Sequence, residues 1–401
     1  MATTLTATES FDARRERDQA RRKVLLFSGV AVLMFLYPFV DRALEWNRLG
    51  SWIAIFVFVI LAVGLNIVVG YAGLLDLGYA AFFIIGAYAN AFLSSPSSIL
   101  VRNDLVPGWL QSFWPAMAVS WLVAALFGVL LGAPTLRLRG DYLAIVTLGF
   151  GEIVPNFFVN AQTITGGPGG ISRVARPPTI PLPGGHEIKF ATTDQQNWYW
   201  LILAIGIFTV FLTTRLYDSR LGRAWQAVRE DEIAAASMGV NLVKTKLWAF
   251  ALGASFSGFA GSVYAGYLRV VYPDQFEFSV SVIVLAMVIL GGLGNVYGVI
   301  FGGLILQSFD RILAEEINTP LHWLGDTLNL SFVSNHDVQS DRFLIFGLAL
   351  VLTMLLRPGG LFPNARRQAE LAPESEEAAA HADQSIYDAR AEDEPVAGER
   401  A

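Results

Sequence analysis

Long apolar runs, separated by short polar or glycine-rich connections, make up most of the sequence. A straight helix needs roughly 20 apolar residues to cross the hydrocarbon layer of a membrane, so runs near that length are candidate spans. Several runs are shorter or interrupted by glycine, which is typical of tilted, broken or re-entrant segments. The pattern predicts an all-α, polytopic membrane helical bundle of about eight to ten transmembrane helices. The candidate spans are Val24–Val40, Ser51–Gly70, Leu77–Leu93, Trp114–Pro134, Tyr142–Asn160, Trp198–Thr214, Leu247–Leu268, Ser279–Leu290, Gly298–Ile312 and Phe343–Leu356.

One long polar segment, Asp218–Lys246, interrupts this pattern between two strongly apolar runs. Asp218 or Ser219 can cap a helix start, because a short side-chain oxygen accepts from the free N–H groups there. Good helix formers without proline follow, and Gly239 suits the left-handed residue that ends many helices. The segment is therefore predicted to contain one amphipathic helix over 223–239.

Small residues define one face of this predicted helix. Glu232, Ala235 and Gly239 lie three or four positions apart, so they share a face that the charged run Arg229–Asp231 bounds. A short helix with such a face suits insertion into a groove on another protein. A solvated helix at a membrane surface, without a partner, would show the same pattern.

Composition agrees with a membrane protein and narrows its chemistry. The chain is 54% hydrophobic and 15% charged, whereas soluble domains are about 25% charged. It contains no cysteine, which excludes disulfides, thiol catalysis and thiolate metal sites. Its four histidines form no metal-binding pattern, and no phosphate-binding loop or catalytic triad pattern occurs. We therefore expect a non-catalytic chain that holds neither a metal nor a cofactor.

Charge divides the chain into three parts. The basic N-terminus, 1–23, is expected in the cytoplasm, because positively charged segments flanking spans stay on that side. A membrane domain covers 24–362 and includes the polar loop 215–246. Residues 363–401 are rich in charged residues and alanine without an apolar face, so they are predicted to form a disordered cytoplasmic tail.

Ionisable and amide side chains within or beside the spans are candidate functional groups, because such groups are costly in lipid. Asp76 adjoins an apolar run and either lines water or caps a helix that begins at Leu77. Glu152 lies in mid-span, where it either faces a translocation path or forms a structural hydrogen bond to a neighbouring helix. Asn156 and Asn160 follow at helical spacing, so one polar stripe runs from Glu152 along the helix.

Two glycine-rich breaks occur in corresponding apolar segments, Val68–Tyr88 and Val288–Leu306. Paired broken segments in two halves of a chain indicate an inverted repeat with a substrate path near the midplane. Glycine-rich helices also resemble each other by composition alone, so the repeat is a hypothesis. A third glycine-rich stretch, Thr165–Ile171, is predicted to be a turn where two backbone segments approach closely.

Five stretches of the sequence resemble the LivM-type permeases of branched-chain amino acid ABC importers. The polar segment resembles the coupling loop of such permeases, whose signature is Glu-Ala-Ala, three residues and then Gly. Ala234, Ala235 and Gly239 match this spacing, whereas Ile233 occupies the acidic position and Glu232 lies one residue early. The other matching stretches are Gly73–Phe82, Arg137–Ile153, Thr165–Ile171 and Gly291–Asn295.

The resemblance implies a permease subunit that pairs with a second, LivH-like permease, two cytoplasmic ABC ATPases and an extracytoplasmic solute-binding protein. It implies the bacterial inner membrane, cytoplasmic termini, and ATP used by partner subunits to move helix 223–239. The implied translocation path contains Asp76, Glu152, Asn156 and Asn160. The residues expected to couple this chain to the ATPases are Arg229, Glu230, Asp231, Glu232, Ala234, Ala235 and Gly239.

Three other functions are compatible with the sequence. A permease of the same family could carry urea or short amides, although Asp76 and Tyr79 resemble the amino acid branch. An ion-coupled secondary transporter could use Glu152 as its proton or cation site, and would work without ATPase subunits. A scaffolding membrane protein would leave the polar stripe unused.

Overall fold

A computed structural model describes residues 29–135, 141–181, 187–191, 194–327, 341–357 and 359–362. In these residues, eight helices are long and apolar enough to cross a membrane, and a shorter apolar helix covers Arg342–Leu356. The prediction of an all-α polytopic bundle is therefore confirmed. Two predictions concern residues outside the described part, namely the basic N-terminus 1–23 and the tail 363–401, and the matching stretch Arg137–Ile153 is described only from residue 141 onward.

The helices follow one another along the chain with short connections between most of them. Two π-helical turns directly extend α-helices. Ile67–Tyr71 follows Leu49–Asn66, and Phe309–Leu313 joins Val296–Ser308 to Ala314–Thr327. The helices are α1 (29–43), α2 (Leu49–Asn66), α3 (Tyr79–Ser94), α4 (Ile99–Arg102), α5 (Phe113–Thr135), α6 (Asp141–Asn160), α7 (Gln162–Thr165), α8 (Gln195–Tyr217), α9 (Arg220–Glu230), α10 (Glu232–Ser237), α11 (Leu242–Leu268), α12 (Phe278–Gly291), α13 (Val296–Ser308), α14 (Ala314–Thr327) and α15 (Arg342–Leu356).

Helix α2 forms the centre of the bundle. Its residues are apolar on every side and are buried from Ile53 to Asn66, as expected for a helix without a polar face. Helices α8, α11, α12 and α13 pack around it. The central position of α2 matters for function because its π-helical end, Ile67–Tyr71, leads directly into the first glycine-rich break.

Helix α11 packs closely against α3 and α5. At the crossing of α3 and α11, a Cβ atom added to Gly86 would lie 2.2 Å from Gly258 Cα. Small residues permit this close approach. In lipid, apolar side chains gain little free energy by moving from lipid into a helix interface, so close packing of the helices contributes most to their association. These glycines therefore set the distance between the two helices.

The bundle has two distinct ends. The loop end is the end at which residues 218–241 lie, and the opposite end carries the antiparallel strands β1 (Ile171–Ser172) and β4 (Val270–Val271). A Cβ atom on Gly170 would lie 2.0 Å from the Val271 carbonyl oxygen, which confirms the predicted close approach of backbone there. A second antiparallel pair joins β2 (Ile180–Pro181) to β3 (Glu187–Ile188).

One predicted span is longer than the sequence indicated. The apolar run Gly298–Ile312 continues as a helical span over Val296–Asn318, because the π-helical turn carries the chain past the charged pair Asp310 and Arg311. Asp310 is buried, and the Arg311 guanidinium lies over the Phe58 ring. These contacts with the bundle accommodate charges that, in the sequence, resemble the end of a span.

Candidate functional site

The polar loop forms two helices, so the prediction of one helix over 223–239 is wrong. Helix α9 starts earlier, with the Ser219 hydroxyl accepting from the Gly222 N–H, and it ends at Glu230. Asp231 adopts an extended conformation, and its carboxylate accepts from the N–H groups of Ile233 and Ala234. A capping aspartate therefore ends one helix and begins the next, because its side chain satisfies the free donors of α10.

One side of the loop is attached to the rest of the protein. The Trp225 ring is buried, and its N–H donates to the Thr245 carbonyl oxygen over 2.8 Å. The buried Lys246 ammonium forms an ion pair with Glu232, and Ala235 is also buried. Glu232 and Ala235 therefore face the chain's own helix α11, and not the exposed surface that their spacing suggested.

The other side of the loop is exposed. Ile233 is 70% exposed and Met238 is 85% exposed, although both are apolar. Ala234 and Gly239 lie on the same exposed part of the loop. Gly239 has a φ of +87°, so the predicted left-handed stop after the helix is confirmed. The exposed surface is therefore small, partly apolar and free of bulky polar groups, and we call these four residues the α10 face.

The two glycine-rich breaks, the first at Gly70–Gly73 and the second at Gly291–Gly294, lie against each other at the loop end. Gly73 and Gly294 have φ values of +69° and +82°, which few residues other than glycine adopt easily. The buried Asn66 side-chain oxygen accepts from the Gly294 N–H over 2.9 Å. A Cβ atom on Gly70 would lie 2.6 Å from the Gly294 nitrogen, so the two breaks touch through their backbones.

The last described residues of the chain also pack on the second break. The Leu361 and Phe362 N–H groups donate to the Leu290 and Gly291 carbonyl oxygens. The Asn295 side chain, which also caps α13, donates to the Phe362 carbonyl oxygen over 2.8 Å. The carbonyl groups at the end of α12 are thus satisfied by a segment that is distant in sequence.

Arg229 lies between the loop and both breaks. Its guanidinium Nη1 donates to the Gly70 carbonyl oxygen, and its side-chain stem lies beside Gly73. Its guanidinium also lies next to Gly294. The expected role of Arg229 was at the edge of a docking surface with Glu230, which is exposed at the end of α9. The structure instead turns Arg229 toward the bundle.

Asp76 lies in the connection between the spans Leu49–Tyr71 and Tyr79–Arg102, and it is buried. Helix α3 begins at Tyr79, two residues later than Leu77, and one Asp76 oxygen accepts from the Gly78 N–H over 2.9 Å. Burial raises the pKa of the Asp76 carboxyl to about 6. In the described part of the chain, its second carboxyl oxygen has no hydrogen-bond partner.

The predicted polar stripe lies on an exposed face of α6. Glu152, Asn156 and Asn160 are all exposed on this helix, which is otherwise apolar enough to span a membrane. The Asn156 amide donates to the Glu152 carbonyl oxygen, and the Asn160 amide donates to the Asn156 carbonyl oxygen, each over 2.8 Å. Helix α6 also contacts the connection that holds Asp76, because the Thr147 hydroxyl of α6 accepts from the Leu77 N–H.

A cavity of about 400 Å³ opens beside this stripe, between α6 and the start of α12. Glu152 and Asn156 line one wall, and Asp274 and Glu277 line the other. Val159 and Phe278 add apolar surface. The cavity therefore offers carboxylates to a cation together with a small apolar surface.

Sequence reasoning missed three contributors to this region. The inward orientation of Arg229 and the burial of Lys246 depend on distant helices, so no local pattern indicates them. The third contributor, the contact of Leu361 and Phe362 with the second break, joins residues that are 71 positions apart in the sequence. The break at Asp231 had a signal, because an aspartate before good helix formers is a common cap.

The chain matches, over residues 47–333, the family described as branched-chain amino acid transport system/permease component. It is 38% identical over 365 residues to the high-affinity branched-chain amino acid transport system permease protein LivM of Escherichia coli K12, covering 86% of this chain and 78% of that protein. The LivM protein of Salmonella typhimurium gives the same identity and coverage.

Similarity extends to a second type of permease. The E. coli K12 permease protein LivH is 24% identical over 294 residues, which cover 71% of this chain and 89% of LivH. No solved structure gave a significant match. The family match covers more than half of the chain, and the identity to LivM proteins covers most of it. This multi-pass membrane protein therefore belongs to the permease family of branched-chain amino acid transport systems.

Proposed function

We propose that this chain is one of two permease subunits of an ATP-driven importer of branched-chain amino acids in the bacterial inner membrane. Its partners are a LivH-like permease, two cytoplasmic ATPases and an extracytoplasmic solute-binding protein. The loop end and both termini face the cytoplasm in this proposal. The support for the substrate is the similarity to permease proteins whose names specify branched-chain amino acid transport.

The observation that carries the transport path is the exposed polar stripe on α6. A carboxylate and two amides exposed on a membrane-spanning helix are costly against lipid, so another protein surface or water must cover them. A second, related permease provides such a cover, and the path then runs between the two subunits along Glu152, Asn156 and Asn160. The cavity beside the stripe can accept an ammonium group at its carboxylates and an aliphatic side chain at Val159 and Phe278.

The α10 face is the proposed contact with an ATPase. Exposed Ile233 and Met238 offer apolar side chains to a groove, while Ala234 and Gly239 permit close approach. Glu232 and Ala235 keep α10 attached to this chain's own bundle. A push on the face is thereby transmitted to the membrane helices, which the alternating access of an ABC importer requires.

The test is uptake of labelled leucine into proteoliposomes that contain the chain with its partner permease, ATPases and binding protein. We expect uptake that requires ATP and all subunits, because the sequence of this chain contains no phosphate-binding loop motif. Uptake by this chain alone, driven by an ion gradient, would instead support the secondary transporter. Transport of urea but not leucine would support the other substrate branch.

The path is tested separately by Glu152→Gln in the same complex. We expect a loss of uptake with normal assembly, because the variant removes the charge that faces the path. Glu315→Gln is the matched control, since Glu315 is an exposed acid at the start of α14 that does not line the cavity. Full activity of a stable Glu152→Gln variant would contradict the path assignment.

A further inference from the structure

One side chain of the loop, that of Arg229, contacts both glycine-rich breaks. Arg229 is in the last turn of α9, and its guanidinium donates to the Gly70 carbonyl oxygen in the first break. A Cβ atom on Gly73 would lie 2.8 Å from Arg229 Cγ, and one on Gly294 would lie 3.0 Å from Arg229 Nη1. The side chain therefore fills the space that the absent side chains of two left-handed glycines leave open.

Electrostatics favours a cation at this position. Helix α2 with its π-helical turn ends at Tyr71, so its carbonyl end lies beside Arg229, which donates to the Gly70 carbonyl oxygen there. The carbonyl end of a helix carries a partial negative charge and stabilises a nearby cation. Arginine suits the position better than lysine, because its planar group presents several donors in fixed directions.

The preceding turn of α9 is held against the bundle by Trp225. Trp225, one helical turn before Arg229, is buried, donates to Thr245 and stacks its ring on Tyr71 with centroids 6.5 Å apart. On the other side, only Glu230 and Asp231 separate Arg229 from α10. A displacement of α10 therefore changes the backbone position of Arg229 while Trp225 stays in place.

We propose that Arg229 is the positioning residue that transmits displacement of the α10 face to both glycine-rich breaks, and thereby to α3 and α13, which follow them. This inference rests on the proposed function, because the displacement comes from an ATPase. Both breaks are already joined by Asn66 and Gly294. A single side chain at their junction can therefore move both halves of the bundle together.

The test uses the assembled complex with Arg229→Gln, with Arg229→Lys and with Arg223→Gln as the control. Arg223 is exposed on the same helix, and its side chain donates to the nearby Asp218 carbonyl oxygen. We expect Arg229→Gln to lower leucine uptake per ATP hydrolysed at least tenfold, while the ATPases still co-purify. Arg229→Lys keeps the charge and should show a smaller loss of uptake per ATP hydrolysed. It replaces Arg229→Gln as the test variant if the glutamine variant does not fold.

If Arg229 only stabilised the fold, its substitution would not change how displacement of α10 reaches the breaks. Distances between spin labels are therefore measured in addition to uptake. The chain has no cysteine, which permits spin labels at introduced cysteines in the pairs Met238/Leu126 and Leu75/Leu126, all at exposed positions. In the wild-type complex, ATP should change both distances. In Arg229→Gln, the distance from Met238 should still change, and the distance from Leu75, beside the first break, should not.

Three results would overturn the inference: an unchanged coupling ratio in both Arg229 variants, a normal ATP-dependent change at Leu75 in Arg229→Gln, or loss of ATPase co-purification. The last result would place Arg229 in the docking contact itself. Failure of the proposed function is distinguishable, because the wild-type complex would then show no ATP-driven uptake of leucine.

Discussion

The crossing of α3 and α11 gives a quantitative prediction about stability. Gly86→Ala adds a Cβ atom 2.2 Å from Gly258 Cα and 2.4 Å from the Gly258 carbonyl oxygen. Carbon atoms in contact are normally about 3.5–4.0 Å apart, so the two helix backbones must separate by about 1.3 Å or more. Neither atom belongs to a side chain that could rotate away, so the strain is not relieved locally.

Overpacking of this kind costs about 1–3 kcal/mol, and we expect the upper end because the clash is between backbones. Gly206→Ala is the matched control, since a Cβ atom there would meet nothing within 4 Å. Both variants gain about 0.5–1 kcal/mol from replacing glycine within a helix, and this gain cancels in the comparison. The two variants should therefore differ in unfolding free energy by about 3 kcal/mol, roughly a hundredfold in the equilibrium constant.

Both variants are purified in detergent and unfolded by titration with SDS, and tryptophan fluorescence follows the transition, since the chain contains 10 tryptophans. The glycine at 86 should be the sensitive position, with Gly86→Ala unfolding at a clearly lower SDS fraction than Gly206→Ala. Equal midpoints for the two variants would refute the view that backbone contact at Gly86 sets the distance between α3 and α11.

Three further predictions concern the loop and Asp76. Glu232→Gln should destabilise the protein by about 1–2 kcal/mol, which is less than for a fully buried ion pair because the Glu232 side chain is 32% exposed. In a double-mutant cycle, adding Lys246→Met should recover part of this loss, and purely additive effects would contradict the ion pair. Gly239→Val should lower the stability of the protein by about 1–2 kcal/mol, because valine is strained in the left-handed conformation of this residue, and it should lower ATP-driven uptake with normal membrane insertion. Gly239→Asn should retain uptake, because asparagine tolerates this conformation. Wild-type uptake by the valine variant would contradict a coupling role of Gly239. The pKa of the Asp76 carboxyl is about 6 in the folded protein and near its ordinary value of 3.8 in the unfolded chain, so the free energy of unfolding should fall as pH rises between these values. Asp76→Asn should remove this component from unfolding temperatures measured at pH 4–7, and a pH profile unchanged by the substitution would contradict it.

Local features of the loop illustrate how far sequence reasoning reaches. The cap at Ser219 and the left-handed stop at Gly239 were predictable, because each depends on a few neighbouring residues. The division at Asp231 was missed, because helix propensity across 223–239 favours one continuous helix. The side of each helix that faces the bundle could not be predicted from spacing, since Ala235 is buried by packing on α11.

The candidate path shows the same division. The sequence placed Glu152, Asn156 and Asn160 on one stripe, because helical periodicity alone determines that relation. Only the fold showed that the stripe is exposed and borders a cavity with Asp274 and Glu277, which lie more than a hundred residues later. Likewise, the contact between the two breaks depends on the hydrogen bond from the Gly294 N–H to Asn66. These residues are distant in sequence, so no local pattern predicts the bond.

The sequence by itself determined that this protein is an all-α membrane bundle, where most spans lie, and which family it resembles. Those conclusions depend on hydropathy, composition and short motifs, which are local properties of the chain. The tertiary structure decided that Arg229 points inward, that Glu232 pairs with Lys246, and that the two glycine-rich breaks touch. Each of these depends on which distant helices become neighbours, and that is fixed by packing over the whole bundle.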